Sequence, residues 1–159
     1  MVNRSLSRST VWSLAILVVG LVAISDVSAQ TFVPTSGTAD WNNDANWSSP
    51  PFPNSSGAAA IIPEATDDLT INLNQSITLG SLDINKSDTV DAITTIATGA
   101  AGGMLTFDGG TATLTNATSP SPAGNGVTII NAPIAFTNGM TVIQNDDTGL
   151  QLMNNITGT

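Results

Sequence analysis

The chain has 159 residues, with 12 acidic side chains, 3 basic ones, no His and no Cys, for a formal net charge of −9. Without Cys there is no disulfide framework, thiolate metal site or Cys nucleophile, and without His the commonest general base and transition-metal ligand is missing. Three cations cannot build the basic footprint that nucleic acid requires, so nucleic acid is not an expected partner.

Residues 1–29 read as a secretory signal peptide. Arg4 and Arg8 sit in a short polar start, an apolar run extends from Val11 to Ile24, and Ser25-Asp26-Val27-Ser28-Ala29 follows. Val27 and Ala29 suit the −3 and −1 pockets of signal peptidase, which places cleavage between Ala29 and Gln30. The run is shorter than the roughly 20 apolar residues of a membrane span, so no transmembrane segment is expected in the mature chain. The two arginines are not adjacent, which argues against the twin-Arg route, and no Cys follows that could carry a lipid anchor. The expectation is export through the Sec pathway and a secreted or cell-surface location. Cleavage removes Arg4, Arg8 and Asp26, leaving Lys86 as the single cation against 11 acids, a net charge of −10. Leu, Ile, Val and Phe make up only about a fifth of what remains, near the margin for forming a core. Thr and Asn are abundant instead, which suits strands and turns and disfavours helices.

Residues 30–64 read as an irregular N-terminal cap with one strand. They hold Trp41, Trp47 and the cluster Pro50-Pro51-Phe52-Pro53. Asp40-x-Asn42-x-Asp44-x-Asn46 has the alternate oxygen spacing of a calcium loop. The sixth position is Ala45 rather than Gly and the twelfth is Pro51 rather than Glu. The pattern therefore reads first as a polar turn that folds Trp41 and Trp47 back onto the cap. Asp40, Asn42 and Asp44 stand as the candidate calcium ligands, and no metal or cofactor is assigned. An exposed pair of tryptophans could instead stack on sugar rings, which makes Trp41 and Trp47 the candidate ligand-binding residues.

Residues 65–159 alternate with period two. Leu69, Ile71 and Leu73 share one face, followed by Ile77 with Leu79 and Leu82 with Ile84. Ile93 and Ile96 give a weaker run. Leu105 with Phe107 precedes the turn Asp108-Gly109-Gly110. Ala112 with Leu114, Val127 with Ile129, Ile134 with Phe136, Val142, and Leu150 with Leu152 complete the series. Short strands with Asn- and Gly-rich corners fit either a β-sandwich or a parallel β-solenoid. Frequent corners, scarce aromatics and small or β-branched interiors favour the solenoid, with about four coils of roughly 20–25 residues. Thr118–Gly126 reads as an exposed loop between coils.

Several phrases resemble one family. Ala39-Asp40-Trp41-Asn42-Asn43-Asp44-Ala45-Asn46-Trp47 is followed by Pro53-Asn54 and Ala58-Ala59-Ala60-Ile61-Ile62. Leu69-Thr70-Ile71-Asn72-Leu73 then leads to Ile77-Thr78-Leu79-Gly80-Ser81-Leu82-Asp83-Ile84. This resembles the N-terminal region of bacterial autotransporter-like passenger proteins with autotransporter-associated β-strand repeats, as in the large surface proteins of planctomycetes. The resemblance implies right-handed parallel β-helix coils behind a W…NW…P segment. It also implies that residues 65–159 are coils truncated at the C-terminus. Asn154-Asn155-Ile156-Thr157-Gly158-Thr159 looks like the lead-in to a Gly-Gly-Leu repeat, and no complete repeat or translocator barrel follows.

Catalytic candidates are sparse. Asp67-Asp68 and Asp146-Asp147 are acidic doublets, but adjacent strand residues face opposite ways and do not converge. Lys86 is the only mature cation available to a lyase, and it lies in an ordinary turn. No Gly-x-Ser-x-Gly elbow or phosphate-binding loop is present. The expectation is a secreted or cell-surface structural or adhesive β-solenoid without catalytic residues. Its partners would be cell-envelope polymers or other surface proteins. A carbohydrate-binding module built on Trp41 and Trp47 is the alternative, and a β-helical carbohydrate-active enzyme is a third reading.

Overall fold

The computed structural model describes residues 28–86, 91–118, 126–145 and 149–158. Most of the segment that the sequence reads as a signal peptide, the Asp146-Asp147 doublet and most of the 118–126 loop lie outside these residues. Among the described residues the protein is all-β. Its one helical element is a 3-10 turn over Asp44–Asn46.

The alternation seen in the sequence becomes strands that each supply one edge to one of three sheets. The chain opens with β1 (Gln30–Thr31) and β2 (Gly37–Asp40). It then passes through three strands at a time: β3 (Ala59–Ile62), β4 (Leu69–Leu73) and β5 (Ile77–Leu79); β6 (Ser81–Lys86), β7 (Ile93–Thr98) and β8 (Leu105–Phe107); β9 (Ala112–Thr118), β10 (Val127–Asn131) and β11 (Ile134–Phe136); β12 (Met140–Gln144), β13 (Leu150–Leu152) and β14 (Ile156–Gly158). The first sheet has the order β1-β3-β6-β9-β12, the second β2-β4-β7-β10-β13 and the third β5-β8-β11-β14. Every strand ladder is parallel. The antiparallel ladders of a sandwich do not occur among the described strands, and the arrangement is consistent with a β-solenoid. Its first full round starts at β3, inside the segment that the sequence reads as the cap.

Rounds differ in length. Along the third sheet Ile77, Leu105, Ile134 and Ile156 stack in register, although the sequence interval shortens at the last step. The first two intervals run longer than the coil length expected from the sequence, because their corners are longer. Register is kept because the interior, not the corner, sets it. Inward-facing residues pile up at strand spacing, about 4.8 Å apart. Ile71, Ile96 and Ile130 form one such column, and Leu82 and Leu114 another. All five are fully buried. Each such side chain contributes roughly 1.5–3 kcal/mol by leaving water.

One strand departs from the expected face. The sequence reading places Val127 and Ile129 inside, whereas Thr128 and Ile130 are buried and Val127 and Ile129 are half-buried on the outer side. The column beneath decides this: Thr128 stacks on Thr94 and Ile130 on Ile96. Ile93 likewise faces out at 37% exposure while Thr94 is 1% exposed. A polar side chain is tolerated inside because it is paired. The Thr128 hydroxyl donates to Oδ1 of the fully buried Asn116 at 2.8 Å, and Asn116 Nδ2 donates to Gln144 Oε1 at 3.0 Å. Asn116→Ala removes the acceptor of Thr128 and is expected to lower stability by about 1–3 kcal/mol, read from urea denaturation.

Candidate functional site

The residues singled out by the sequence converge on the N-terminal end of the stack. After β2 the chain turns sharply at Asn43. Its side-chain Oδ1 accepts from the Ala45 amide at 3.1 Å and so caps the 3-10 turn. The reversal brings residues 46–48 alongside β1. Val33 N donates to Asn46 O at 2.8 Å, Ser48 N to Thr31 O at 2.8 Å, and Thr31 N to Ser48 Oγ at 3.0 Å. An isolated antiparallel bridge joins Phe32 to Trp47.

This reversal drives three rings inward. Trp41 is 0% exposed, Trp47 4% and Phe32 0%. The Trp41 and Trp47 ring centroids are 4.7 Å apart at 58°, and Phe32 meets Trp47 edge-on at 5.1 Å. Both indole donors are satisfied inside: Trp47 Nε1 donates to Trp41 O at 2.7 Å and Trp41 Nε1 to Pro53 O at 3.0 Å. The six-residue spacing of the tryptophans thus places the second indole on the first one's carbonyl. The cluster closes the interior that the inward columns of Ile and Leu form. A sugar-stacking platform needs a ring face in solvent, and here both indoles are part of the core.

Asp40, Asn42 and Asp44 tie the cap to the rest of the fold. Asp40 Oδ1 accepts from Asn74 Nδ2 at 2.8 Å, and its carbonyl accepts from Asn46 Nδ2 at 2.9 Å. Asp44 Oδ1 accepts from the Phe52 amide at 2.8 Å, which anchors the proline cluster with its cis Pro50–Pro51 peptide. Asn42 Oδ1 is buried without a hydrogen-bond partner. Two of the three candidate calcium ligands therefore hold different stretches of chain, Asp40 the corner after β4 and Asp44 the proline cluster. Among the described residues no group of three or more acidic side chains is arranged to hold a metal. Asp68, of the first doublet, is a corner residue: its Oδ1 accepts from the Ile93 amide at 2.9 Å and its carbonyl from Gly37 N at 2.8 Å.

The sequence pattern does not single out three further contributors to this end. Phe32 supplies the third ring, Ser48 covers the edge of β1, and Asn54 accepts from the Thr78 amide at 2.7 Å on the edge of β5. Only Phe32 carries a signal, as an aromatic residue in a chain with four Phe and no Tyr. A cleft of about 210 Å³ lies beside the cap, lined among others by Gln30, Pro51, Phe52, Asn54 and Ala59.

Fold and cap together define a class: among the described residues, an all-β protein of three parallel sheets with an aromatic lid at the N-terminal end. The chain matches no family model, no curated protein and no solved structure. No helix among the described residues is long and apolar enough to cross a membrane.

The buried rings give a direct optical expectation. In a chain carrying Trp12→Phe, which leaves only Trp41 and Trp47, emission is blue-shifted, resists acrylamide quenching and does not move on adding soluble polysaccharide. Red-shifted emission that responds to polysaccharide would instead assign the rings to a binding face.

Proposed function

We propose that this protein is a secreted or cell-surface β-solenoid with a structural or adhesive role and no catalytic step, of the kind its sequence resembles in autotransporter-like passenger proteins. The observation that carries this reading is the division between inside and outside. Most aromatic and aliphatic side chains fill the interior, while small polar residues recur in ranks on the outer face, interrupted by Ile93, Val127 and Ile129. Thr38, Thr70 and Thr95 align on the second sheet, Ser81, Thr113 and Thr141 on the first, and Thr78 and Thr106 on the third. Such ranks make an extended, largely polar flank rather than a concave catalytic site. A right-handed path is the expected one, since parallel strands joined across a sheet adopt that hand in about 98% of cases. The burial of Trp41 and Trp47 favours the lid over the carbohydrate-binding alternative. The net negative charge keeps the flank soluble and disfavours anionic partners, which directs the reading to neutral envelope polymers or other surface proteins.

Cell fractionation with an antibody to residues 38–57, followed by co-sedimentation with isolated envelope material, tests this. The expected result is recovery in the secreted and envelope fractions and pelleting with the envelope. Retention in the cytoplasm, or a protein that stays in the supernatant, overturns it.

A further inference from the structure

The bond between Ala29 and Gln30, where the sequence places leader cleavage, lies at the boundary of the folded cap. Ser28 and Ala29, upstream of it, are exposed and outside any strand, and Ser28 borders the cleft beside Pro51 and Phe52. Gln30 and Thr31, downstream of it, are half-buried and form β1. This short strand is held from both edges. On one edge it pairs in parallel with β3, Gln30 against Ala60 and Thr31 against Ile61, and the next residue, Phe32, donates its amide to Ile61 O at 2.8 Å. On the other edge Thr31 commits both backbone groups to Ser48. Its amide donates to Ser48 Oγ at 3.0 Å, and its carbonyl accepts from Ser48 N at 2.8 Å. The Gln30 side chain is tied as well, with Nε2 donating to Pro51 O at 2.8 Å.

An extended segment is recognised chiefly through hydrogen bonds to its main chain, so a peptidase needs the backbone groups on both sides of the bond it cuts. In the folded cap the groups of Thr31 already have partners. Nor can β1 be lifted alone. Phe32 follows directly, is fully buried and meets Trp47 edge-on, and Trp47 lies against Trp41. Freeing Gln30 and Thr31 therefore pulls on the ring cluster that closes the core.

We infer that leader removal and cap folding exclude one another: the Ala29–Gln30 bond is open to signal peptidase while residues 30–48 are unfolded, and is shielded once β1 docks between β3 and Ser48. The inference rests on the reading of residues 1–29 as a cleaved leader. The reaction is hydrolysis of one peptide bond, in which water gives its hydroxyl to the Ala29 carbonyl and a proton to the departing amine of Gln30. A chain cut before its cap forms loses the leader at once. A chain whose cap forms first is cut only through transient opening of β1, at a rate that follows the population of the open form. The residues that fasten β1 thereby set the pace of processing.

Order of addition tests this on the full 159-residue chain in nonionic detergent with purified signal peptidase. In one arm the chain is diluted from urea directly into the peptidase. In the other it first refolds to its β-rich dichroism spectrum, and the peptidase follows. Mass spectrometry reads the new N-terminus. The expected result is a cut between Ala29 and Gln30 in both arms, more than about tenfold slower in the refolded chain, as for bonds reached only by local opening. Ser48→Ala, which removes one hydrogen bond from β1, should speed the refolded arm about three- to tenfold and leave the urea arm unchanged. Equal rates in the two arms, or no acceleration by Ser48→Ala, overturn the proposal and leave the leader reading standing. No cut in the urea arm, or a cut at another bond, overturns the leader reading and the proposal with it.

Discussion

Replacing Trp41 by alanine lowers the free energy of unfolding by about 3–5 kcal/mol, read from urea denaturation followed by far-UV dichroism. The magnitude follows from position. Trp41 is fully buried, lies against Trp47 at 4.7 Å and donates to the Pro53 carbonyl. Alanine removes one of the two indoles of the lid, leaves a cavity above the first round and strands a backbone acceptor. Trp41→Phe separates these contributions. Phenylalanine retains much of the apolar volume and loses the N–H with one of the two fused rings, so its effect should fall to about 1–3 kcal/mol. A Trp41→Ala loss below about 1 kcal/mol, the usual range of exposed positions, would mean that the ring does not close the core.

The second large effect is at Gly80. This residue forms the one-residue corner between β5 and β6, and its amide donates to Ala58 O at 2.7 Å. A β-carbon there would lie 2.6 Å from the Gly57 α-carbon and 2.8 Å from its carbonyl carbon. Both are backbone atoms of the corner that precedes β3, so no side chain can swing aside. Gly57 cannot simply move, because its amide is held by Asp108 O at 2.9 Å and it sits at φ +77°. Gly80→Val is expected to destabilise the fold by about 3 kcal/mol, at the upper end of overpacking effects. Gly110→Ala is the control: nothing lies within 4 Å of its added carbon, and the change should stay within about 0.5 kcal/mol.

The strand content and the inward faces were legible in the sequence wherever apolar residues alternate against Thr, Asn or Asp. Leu69, Ile71 and Leu73, or Leu105 and Phe107, could face only one way and are buried. Where both faces carry β-branched residues, as in Val127-Thr128-Ile129-Ile130, the pattern is ambiguous and the round beneath chooses the register. Ile156 reads in the sequence as part of the lead-in to a repeat, yet it is the inward residue of β14, because stacking on Ile134 places it there. Corner lengths were legible only loosely, since a corner adds residues without altering the columns.

The cap region was legible as a unit but not in its wiring. The sequence shows two tryptophans six residues apart. It does not show that the carbonyl of one receives the indole N–H of the other, because that depends on the reversal at Asn43. Ser48 and Asn54 are ordinary loop residues by composition, and their importance emerges only when the edges of β1 and β5 are located. The oxygen-rich motif 40–46 resembles ion chemistry because Asp and Asn serve turns and cations alike.

The aromatic lid also gives folding a direction. Each round pairs only with its neighbours, so stability accumulates by adding one layer to the last, as in other stacked-repeat proteins. The layer that carries the ring cluster is the one closest to the N-terminus, and it leaves the ribosome first. Once Trp41, Trp47 and Phe32 have collapsed, β3 and then β6 find a finished template, and the growing edge always faces the part of the chain still to arrive. Damage to the lid therefore delays every later layer, whereas damage to the last round leaves the earlier ones to form unaided.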